Sequence, residues 1–272
     1  MNQCKKRIGI LDMLNKKLSV IIVNYKSADF LEKCVALVRE KINEEFLEEI
    51  IIVNNDQKEK IELDLQDNLK IINNAKNVGF GAGNNVGAKL AKGDIVLFLN
   101  PDTEIISTEI EKVIALFNQD NKIDIVGSQL RLNNNEVQPW SAGHEISLIN
   151  LIKNNLGLVK SQKIWKAEEE KMVDWVAGTA LFIRKDIFEK VGGFDEKFFM
   201  YFEDMDLCKR VRETGKNILY NPNFKVRHIG GKSYQEKGFQ KRDYYKAQEY
   251  YFKKHRNFFE WLIVRIASKF LY

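Results

Sequence analysis

The stretch Ile95-Val96-Leu97-Phe98-Leu99-Asn100-Pro101-Asp102 decides the fold. Five consecutive apolar residues closed by turn chemistry read as a strand buried on both faces. A buried strand that stops at a carboxylate places an acidic oxygen donor at the carboxyl edge of a sheet, where open α/β folds bind their ligands. A diphosphate-bound metal would sit there. The alternative is an ordinary strand-end turn in which Asp102 caps a helix starting near Ser107.

Upstream, the same kind of segment recurs. Leu18–Val23, Glu49–Val53 and Leu69–Ile72 read as strands, and Asp29–Glu40 reads as an amphipathic helix with Phe30, Leu31, Cys34, Leu37 and Val38 apolar. Strand and helix alternate, so the first hundred residues predict a parallel α/β sheet with its loops collected at one edge. Between the third strand and Asp94–Leu99 lies Asn77-Val-Gly79-Phe80-Gly81-Ala-Gly83-Asn84-Asn85-Val-Gly87, leading into a predicted helix over Val86–Lys92. Glycines there let backbone approach a ligand, and N–H groups at a helix start suit phosphate or sugar hydroxyls. The spacing is not a dinucleotide fingerprint, because Asn84 or Val86 stands where the third glycine belongs. Nor is Gly230-Gly231-Lys232-Ser233 a P-loop, since Val226 occupies its first glycine position.

The bulk numbers narrow the class. With 272 residues, 44% of them hydrophobic and only three prolines, the chain can bury one large core. A net charge of +5 is too mild to indicate nucleic acid as a partner. Cys4, Cys34 and Cys208 lie far apart, which implies neither a disulfide framework nor a zinc cluster and fits a reducing cytoplasm. The apolar stretch Ile8–Leu11 is too short for a cleaved leader.

The second half is less regular. Ile105–Asn118 reads as a helix, Ile123–Gly127 as a strand, Asn133–Gln138 as a hairpin tip and Gly143–Glu170 as a mobile loop or short helices. Order returns at Val173–Ile183, which carries Trp175 and Gly178, then at the short helix Lys185–Val191. Glu203-Asp204-Met205-Asp206 opens a helix running to about Glu213. Three carboxylates in a first turn favour the helix dipole, and that structural role stands beside the reading of one of them as a general base. Residues 241–256 are basic, ending Lys253-Lys254-His255-Arg256, and 258–272 are apolar but carry Glu260, Arg265 and Lys269. That piece is too short and too charged to span a bilayer. It suits a helix lying at an anionic membrane surface with Phe258, Phe259 and Trp261 inserted, or one packed on the parent domain or in a homodimer.

Taken together, the motifs resemble the family 2 glycosyltransferases, inverting enzymes of GT-A fold, and within them the bacterial rhamnosyltransferase-like branch. The matching segments are Ser19–Tyr25, Asn77–Gly87, Leu99–Thr103, Trp175–Gly178, Gly192–Asp195, Phe202–Leu207 and His228–Gly231. The resemblance implies an α/β GT-A domain over 18–235, with a donor-binding half at 18–103 and an acceptor-binding half at 104–235. Residues 1–17 would be an extension and 236–272 a helical tail. It implies a nucleoside-diphosphate sugar donor, dTDP-L-rhamnose first, and a glycan or lipid-linked saccharide acceptor at the inner face of the cell membrane. UDP-galactofuranose or a UDP-hexose are the alternative donors, and a catalytically silent sugar- or nucleotide-binding module is the alternative function.

By the same resemblance Asn24, Tyr25, Asn54, Asp56, Asn77, Gly79, Phe80, Gly83, Asn84, Asn85, Asn100 and Asp102 line the donor site. Asp102 holds Mn²⁺ or Mg²⁺, with His228 a candidate second ligand, since Mn²⁺ accepts imidazole. Asp204 is the expected base, its pKa raised by Glu203 and Asp206 through like-charge repulsion. Trp175, Gly178 and Asp206 fall to the acceptor side, although Asp206 also suits an ion pair with Arg210 four residues on. Two departures stand out. The family's D-x-D is here Asn100-Pro101-Asp102, and the aspartate that follows the second strand is Asn54.

Overall fold

The computed structural model describes residues 16–63, 68–120, 122–158, 162–230 and 237–270. The expected extension 1–17 lies almost wholly outside them, as do Gly231 and the expected junction between domain and tail at 235/236.

In chain order the elements are β1 (Leu18–Asn24), α1 (Ala28–Lys41), β2 (Leu47–Asn54), β3 (Leu69–Asn73), α2 (Phe80–Ala88) and β4 (Ile95–Leu99). β5 (Thr103–Ile105), α3 (Ile110–Gln119), β6 (Ile123–Arg131), β7 (Ala142–Gly143), α4 (Leu148–Asn155), α5 (Gln162–Trp165), β8 (Lys171–Val173) and β9 (Trp175–Val176) follow. The last are β10 (Ala180–Arg184), α6 (Lys185–Lys190), α7 (Glu203–Glu213), β11 (Asn217–His228), α8 (Lys237–His255) and α9 (Phe258–Ser268).

The main sheet runs β3-β2-β1-β4-β10-β6-β11-β5, with β8 on the side of β11. As the alternation predicts, β3, β2, β1 and β4 are parallel. β10 then enters antiparallel to both β4 and β6. Every residue of β1 is buried, because its side chains alternate between two covered faces. Val20 and Ile22 meet Leu31, Val38, Ile110 and Phe117 on the face of α1 and α3. Ile21 and Val23 join the cluster on the other face with Ala88, Phe194, Leu207 and Val211.

Three local expectations change. α2 starts at Phe80 rather than Val86, inside the glycine-rich segment. Its glycines make room for the sheet: a Cβ on Gly87 would lie 2.6 Å from the Ile21 side chain, and one on Gly83 2.9 Å from Val23. The predicted helix over Ile105–Asn118 begins only at Ile110, because Thr103–Ile105 pair with the end of β11. Gly143–Glu170 holds the short helices α4 and α5, while Asn133–Gln138 is the tip of a hairpin closed by Leu132 and Glu136, as read.

Most of the tail packs on the domain. Ala247, Tyr251, Phe252 and Val264 form a third core with Phe198 and Phe202. The basic cluster is held inward: His255 Nε2 and Lys254 Nζ lie 2.6 and 2.7 Å from Asp206 Oδ1, and Lys254 also reaches Asp195 at 2.6 Å. Trp261 packs against this core rather than pointing outward. Phe258, Phe259, Ile263, Ile266 and Phe270 of the tail are exposed.

Candidate active site

A cavity of about 550 Å³ opens at the carboxyl edge of the parallel strands. β4 delivers Asn100 and Asp102 to it, and the turn is pinned by Asn100 N–H donating to the Thr179 carbonyl at 2.9 Å. The β5–β11 pairing sets His228 opposite Thr103, next to Asp102. Their side chains face each other, His228 Nε2 lying 3.4 Å from Asp102 Oδ1. His228 Nδ1 donates to Gln138 Oε1 at 2.9 Å, which leaves Nε2 as the nitrogen presented to the carboxylate. Asn100 Oδ1, buried in the same lining, has no hydrogen-bond partner. A carboxylate, an imidazole nitrogen and an orphaned amide oxygen on one wall are a donor set for a divalent cation of the Mn²⁺ class that also binds ligand oxygens.

The same cavity is lined by the start of α7, Glu203 and Asp204. Asp204 Oδ2 accepts the Gly178 N–H at 2.9 Å and Oδ1 accepts the Met205 N–H at 2.8 Å, so both oxygens are aimed by backbone. Burial pushes the Asp204 carboxyl above the ordinary aspartate range, against those two hydrogen bonds. Burial, and then the charge of Asp204, push Glu203 well above the glutamate range, and Glu203 Oε2 has no partner. Both adjacent carboxyls are thus pushed toward their protonated forms by burial, and Asp204 alone has both oxygens held by backbone N–H groups. The expected repulsion from Glu203 and Asp206 is not what raises Asp204; burial is. Burial alone would raise Asp206 too, but its hydrogen bond to His255, the charge of Arg210 and its hydrogen bond to Lys254 hold it down at about 2.

Of the residues expected to bind ligand, Tyr25, Asn77, Gly79, Phe80, Asn100, Asp102, Trp175, Gly178, Glu203, Asp204 and His228 line this cavity. Asp206 does not; fully buried, it ties α7 to α8 through Lys254 and His255. Asn24 and Asn54 do not either. Asn54 Nδ2 donates to Glu59 O and Asn73 Oδ1, while its Oδ1 accepts from Asn24 Nδ2 and Asp56 N–H, which fills its capacity. Its neighbour Asn55 lines the cavity instead. Asp56 receives the Lys58 N–H, and Gly83 is packed on Val23. Asn84 donates to Phe80 O, while Asn85 holds the turn at Gly193-Phe194, both hydrogen-bonding Phe194 and reaching Glu196.

The structure adds residues that sequence reasoning missed: Gln138 and Trp140 from the loop before β7, Tyr201 and Phe202 before α7, and Gln240 and Tyr244 from α8. Trp140, Tyr201 and Phe202 have left-handed backbones, with φ of 61°, 71° and 65°. Such bulky residues cost about 1–3 kcal/mol each in that region and persist only where the surroundings enforce them. No periodicity in the sequence carries that signal.

The match to a known family covers the sheet and the part of this site that precedes α7, Asp102 included. Residues 19–192 match the model of glycosyl transferase family 2. The chain belongs to that family. Among relatives of this family 2 glycosyltransferase, the low-salt glycan biosynthesis hexosyltransferase Agl10 of Haloferax volcanii is 28% identical over 225 residues, 80% of this chain and 67% of the relative. The N-acetylglucosaminyl-diphospho-decaprenol L-rhamnosyltransferase of Mycobacterium tuberculosis is 26% identical over 234 residues, covering 78% and 75% of the two chains. Rhamnosyltransferase WbbL of Escherichia coli is 29% identical over 159 residues, covering 55% and 60%. In fold the chain resembles GalNAc-T7, solved with UDP, GalNAc and Mn²⁺, at a TM-score of 0.62 and 17% identity, covering 86% of this chain and 48% of that one. It also resembles the mannosyltransferase PcManGT of Pyrobaculum calidifontis, solved with GDP-Man and Mn²⁺, at 0.58 and 13%, covering 88% and 64%. The family 2 glycosyltransferase thus has the GT-A fold, and spans about half the length of the GalNAc-T7 chain.

Proposed function

We propose that this glycosyltransferase moves a sugar, with inversion, from a nucleoside-diphosphate sugar to a hydroxyl of a lipid-linked or cell-surface glycan precursor. dTDP-L-rhamnose is the first donor to test, in keeping with the two rhamnosyltransferases among the relatives. One observation carries the reading. A cation-ready pair, Asp102 and His228, and a backbone-aimed carboxylate, Asp204, line a single cavity at the sheet edge.

The chemistry follows from the two walls. Asp102, His228 and Asn100 Oδ1 would hold a divalent cation, Mn²⁺ or Mg²⁺. Such a cation supplies Lewis-acid neutralisation of a leaving diphosphate. Asp204 takes the proton of the acceptor hydroxyl as its oxygen bonds the anomeric carbon, and the bond to the donor phosphate breaks with its electron pair leaving on the diphosphate. Tyr25 and Asn77 offer the nucleotide polar contacts, while Asn55 shapes the lining with its amide committed to Asn77, Asn74 and the Gly79 carbonyl.

The test uses the full chain with Mn²⁺ and a panel of dTDP-rhamnose, UDP-galactofuranose and UDP-hexoses, each offered with an N-acetylglucosaminyl diphosphate carrying a short prenyl chain. Release of nucleoside diphosphate with a matching glycoside product is expected for one donor, EDTA should abolish it, and added Mn²⁺ should restore it. Absence of product across the panel would reduce the protein to a silent sugar- or nucleotide-binding module.

We place the enzyme at the inner face of the cell membrane, held peripherally. No described helix is long and apolar enough to cross a bilayer. Support comes from the exposed apolar residues of the tail and from Ile149, Ile152, Leu156 and Leu158 in and after α4. α4 adjoins α9, where Leu148 N–H donates to Glu260 Oε2 at 3.2 Å. Apolar side chains edged by Lys153, Arg265 and Lys269 suit an anionic lipid surface.

A further inference from the structure

We propose that Trp140, Tyr201 and Tyr244 form a saccharide platform at the mouth of the cavity, on which a sugar ring of the acceptor stacks to bring its hydroxyl to Asp204. The inference rests on the transferase reading of this cavity and names which residues take the acceptor.

Three separate elements converge to build the platform. Trp140 comes from the loop between β6 and β7, Tyr201 from the segment before α7, and Tyr244 from α8. Among the described residues only five non-glycine positions have a left-handed backbone, and three of them, Trp140, Tyr201 and Phe202, are aromatic residues lining this one cavity. Large rings in a disfavoured backbone region, gathered at one mouth, are the kind of strain that accumulates where a ligand must be met.

The rings pack on neighbouring aromatics and still keep part of their surface open. Trp140 has Trp165 beside it, with ring centroids 4.9 Å apart, yet leaves 46% of its surface open. Tyr244 stays 38% exposed even though it contacts Tyr201 and Phe202 at 5.7 and 5.3 Å. Aromatic faces carry negative charge density and receive the polarised C–H face of a pyranose, while polar groups at their rim take the hydroxyls. Gln240, whose Nε2 donates to the Tyr201 hydroxyl at 2.9 Å, supplies an amide at that rim. Trp175, the aromatic residue expected as the acceptor floor, is buried and commits its indole N–H to the His144 carbonyl at 2.9 Å.

Saccharide binding tests this without turnover. The full chain is titrated by ligand-observed NMR with methyl glycosides of rhamnose, galactose, mannose and N-acetylglucosamine, and separately with UDP and dTDP in the presence of Mn²⁺. At least one glycoside should bind the wild type with saturation transfer concentrated on one ring face. Trp140→Ala and Tyr244→Ala should each weaken it about tenfold or more, while Trp140→Phe and Tyr244→Phe stay within about threefold, and nucleotide affinity stays unchanged in all four. A wild type that binds no glycoside, or alanine variants on both elements that bind as well as it does, would overturn the platform. Glycoside binding that follows this pattern in a protein without nucleotide affinity would uphold the platform and overturn the transferase reading instead.

Discussion

The two walls of the cavity are held in opposite ways. On the β1–β2–β3 side, Asn24, Asn54 and Asn73, outside the lining but with Asn24 and Asn54 next in chain to the lining residues Tyr25 and Asn55, stand in register at the strand ends and hydrogen-bond across three strands, Asn54 saturated and Asn24 Oδ1 left without a partner. On the α7–α8 side the lining keeps an unpartnered Glu203 oxygen, two consecutive left-handed residues at Tyr201 and Phe202, and a helix fastened from behind through Asp206. One side is held by amides at the ends of three adjacent parallel strands, 30 and 19 residues apart in sequence. The other depends on contacts made across long sequence distances, and holds its groups in reserve for chemistry.

Breaking the fastening should have the largest effect. Asp206→Ala leaves Arg210, Lys254 and His255 facing a buried vacancy, and removing one partner of a buried ionic cluster destabilises by about 3–5 kcal/mol. Chemical denaturation should register that loss, with early release of α8. Since Asp206 is held at about 2, below its ordinary 3.8, its contribution is fully present above about pH 5 and disappears as pH falls toward 2, roughly 2 kcal/mol in all. An acid titration of stability in wild type and Asp206→Asn should converge at the low end.

Next comes the base. Asp204→Asn should lower turnover by roughly 10²-fold or more while nucleotide binding stays within a few-fold, whereas Asp102→Asn should weaken nucleotide binding as well. Full activity of Asp204→Asn alongside a dead Glu203→Gln would move the proton-accepting role by one residue. On the amide wall, Asn54→Ala should cost about 1–3 kcal/mol of stability by stranding the Asn24 and Asn73 side chains, with little change in turnover. A turnover loss there exceeding the stability loss would show that this wall also does chemistry.

The smallest effect concerns the tail. Phe259, 74% exposed, makes no contribution to the core, so Phe259→Ser should leave the melting temperature unchanged and reduce flotation with anionic liposomes several-fold. Equal flotation of the two, with self-association visible by light scattering, would assign the exposed face to a second copy.

The same contrast governs what could be read from sequence. The first wall was legible: strands at Leu18, Glu49, Leu69 and Asp94 announce themselves by continuous apolar runs, and their alternation with helices fixes a parallel sheet with Asp102 at its edge. Local rules failed at Ile105, where pairing with distant β11 displaced the expected helix start to Ile110, and at Phe80, where close packing on β1 sustained a helix through glycines. Asp204 and His228 were found through motif resemblance, since neither periodicity nor charge singles them out. Trp140, Gln240 and Tyr244 escaped altogether, because nothing near them in sequence records that they converge on Asp204.

The position of Tyr244 within α8 has a consequence for biosynthesis. During translation the β1–β4 sheet, α2 and Asp102 emerge first, but β4 must wait for β10, the Phe80 N–H for the Phe199 carbonyl and Asp102 for His228. Gln240, Tyr244 and the Lys254-His255 clasp on Asp206 arrive last. Both sides of the cavity are therefore completed late in synthesis, the Asp102 side by His228 and the Asp204 side by α8.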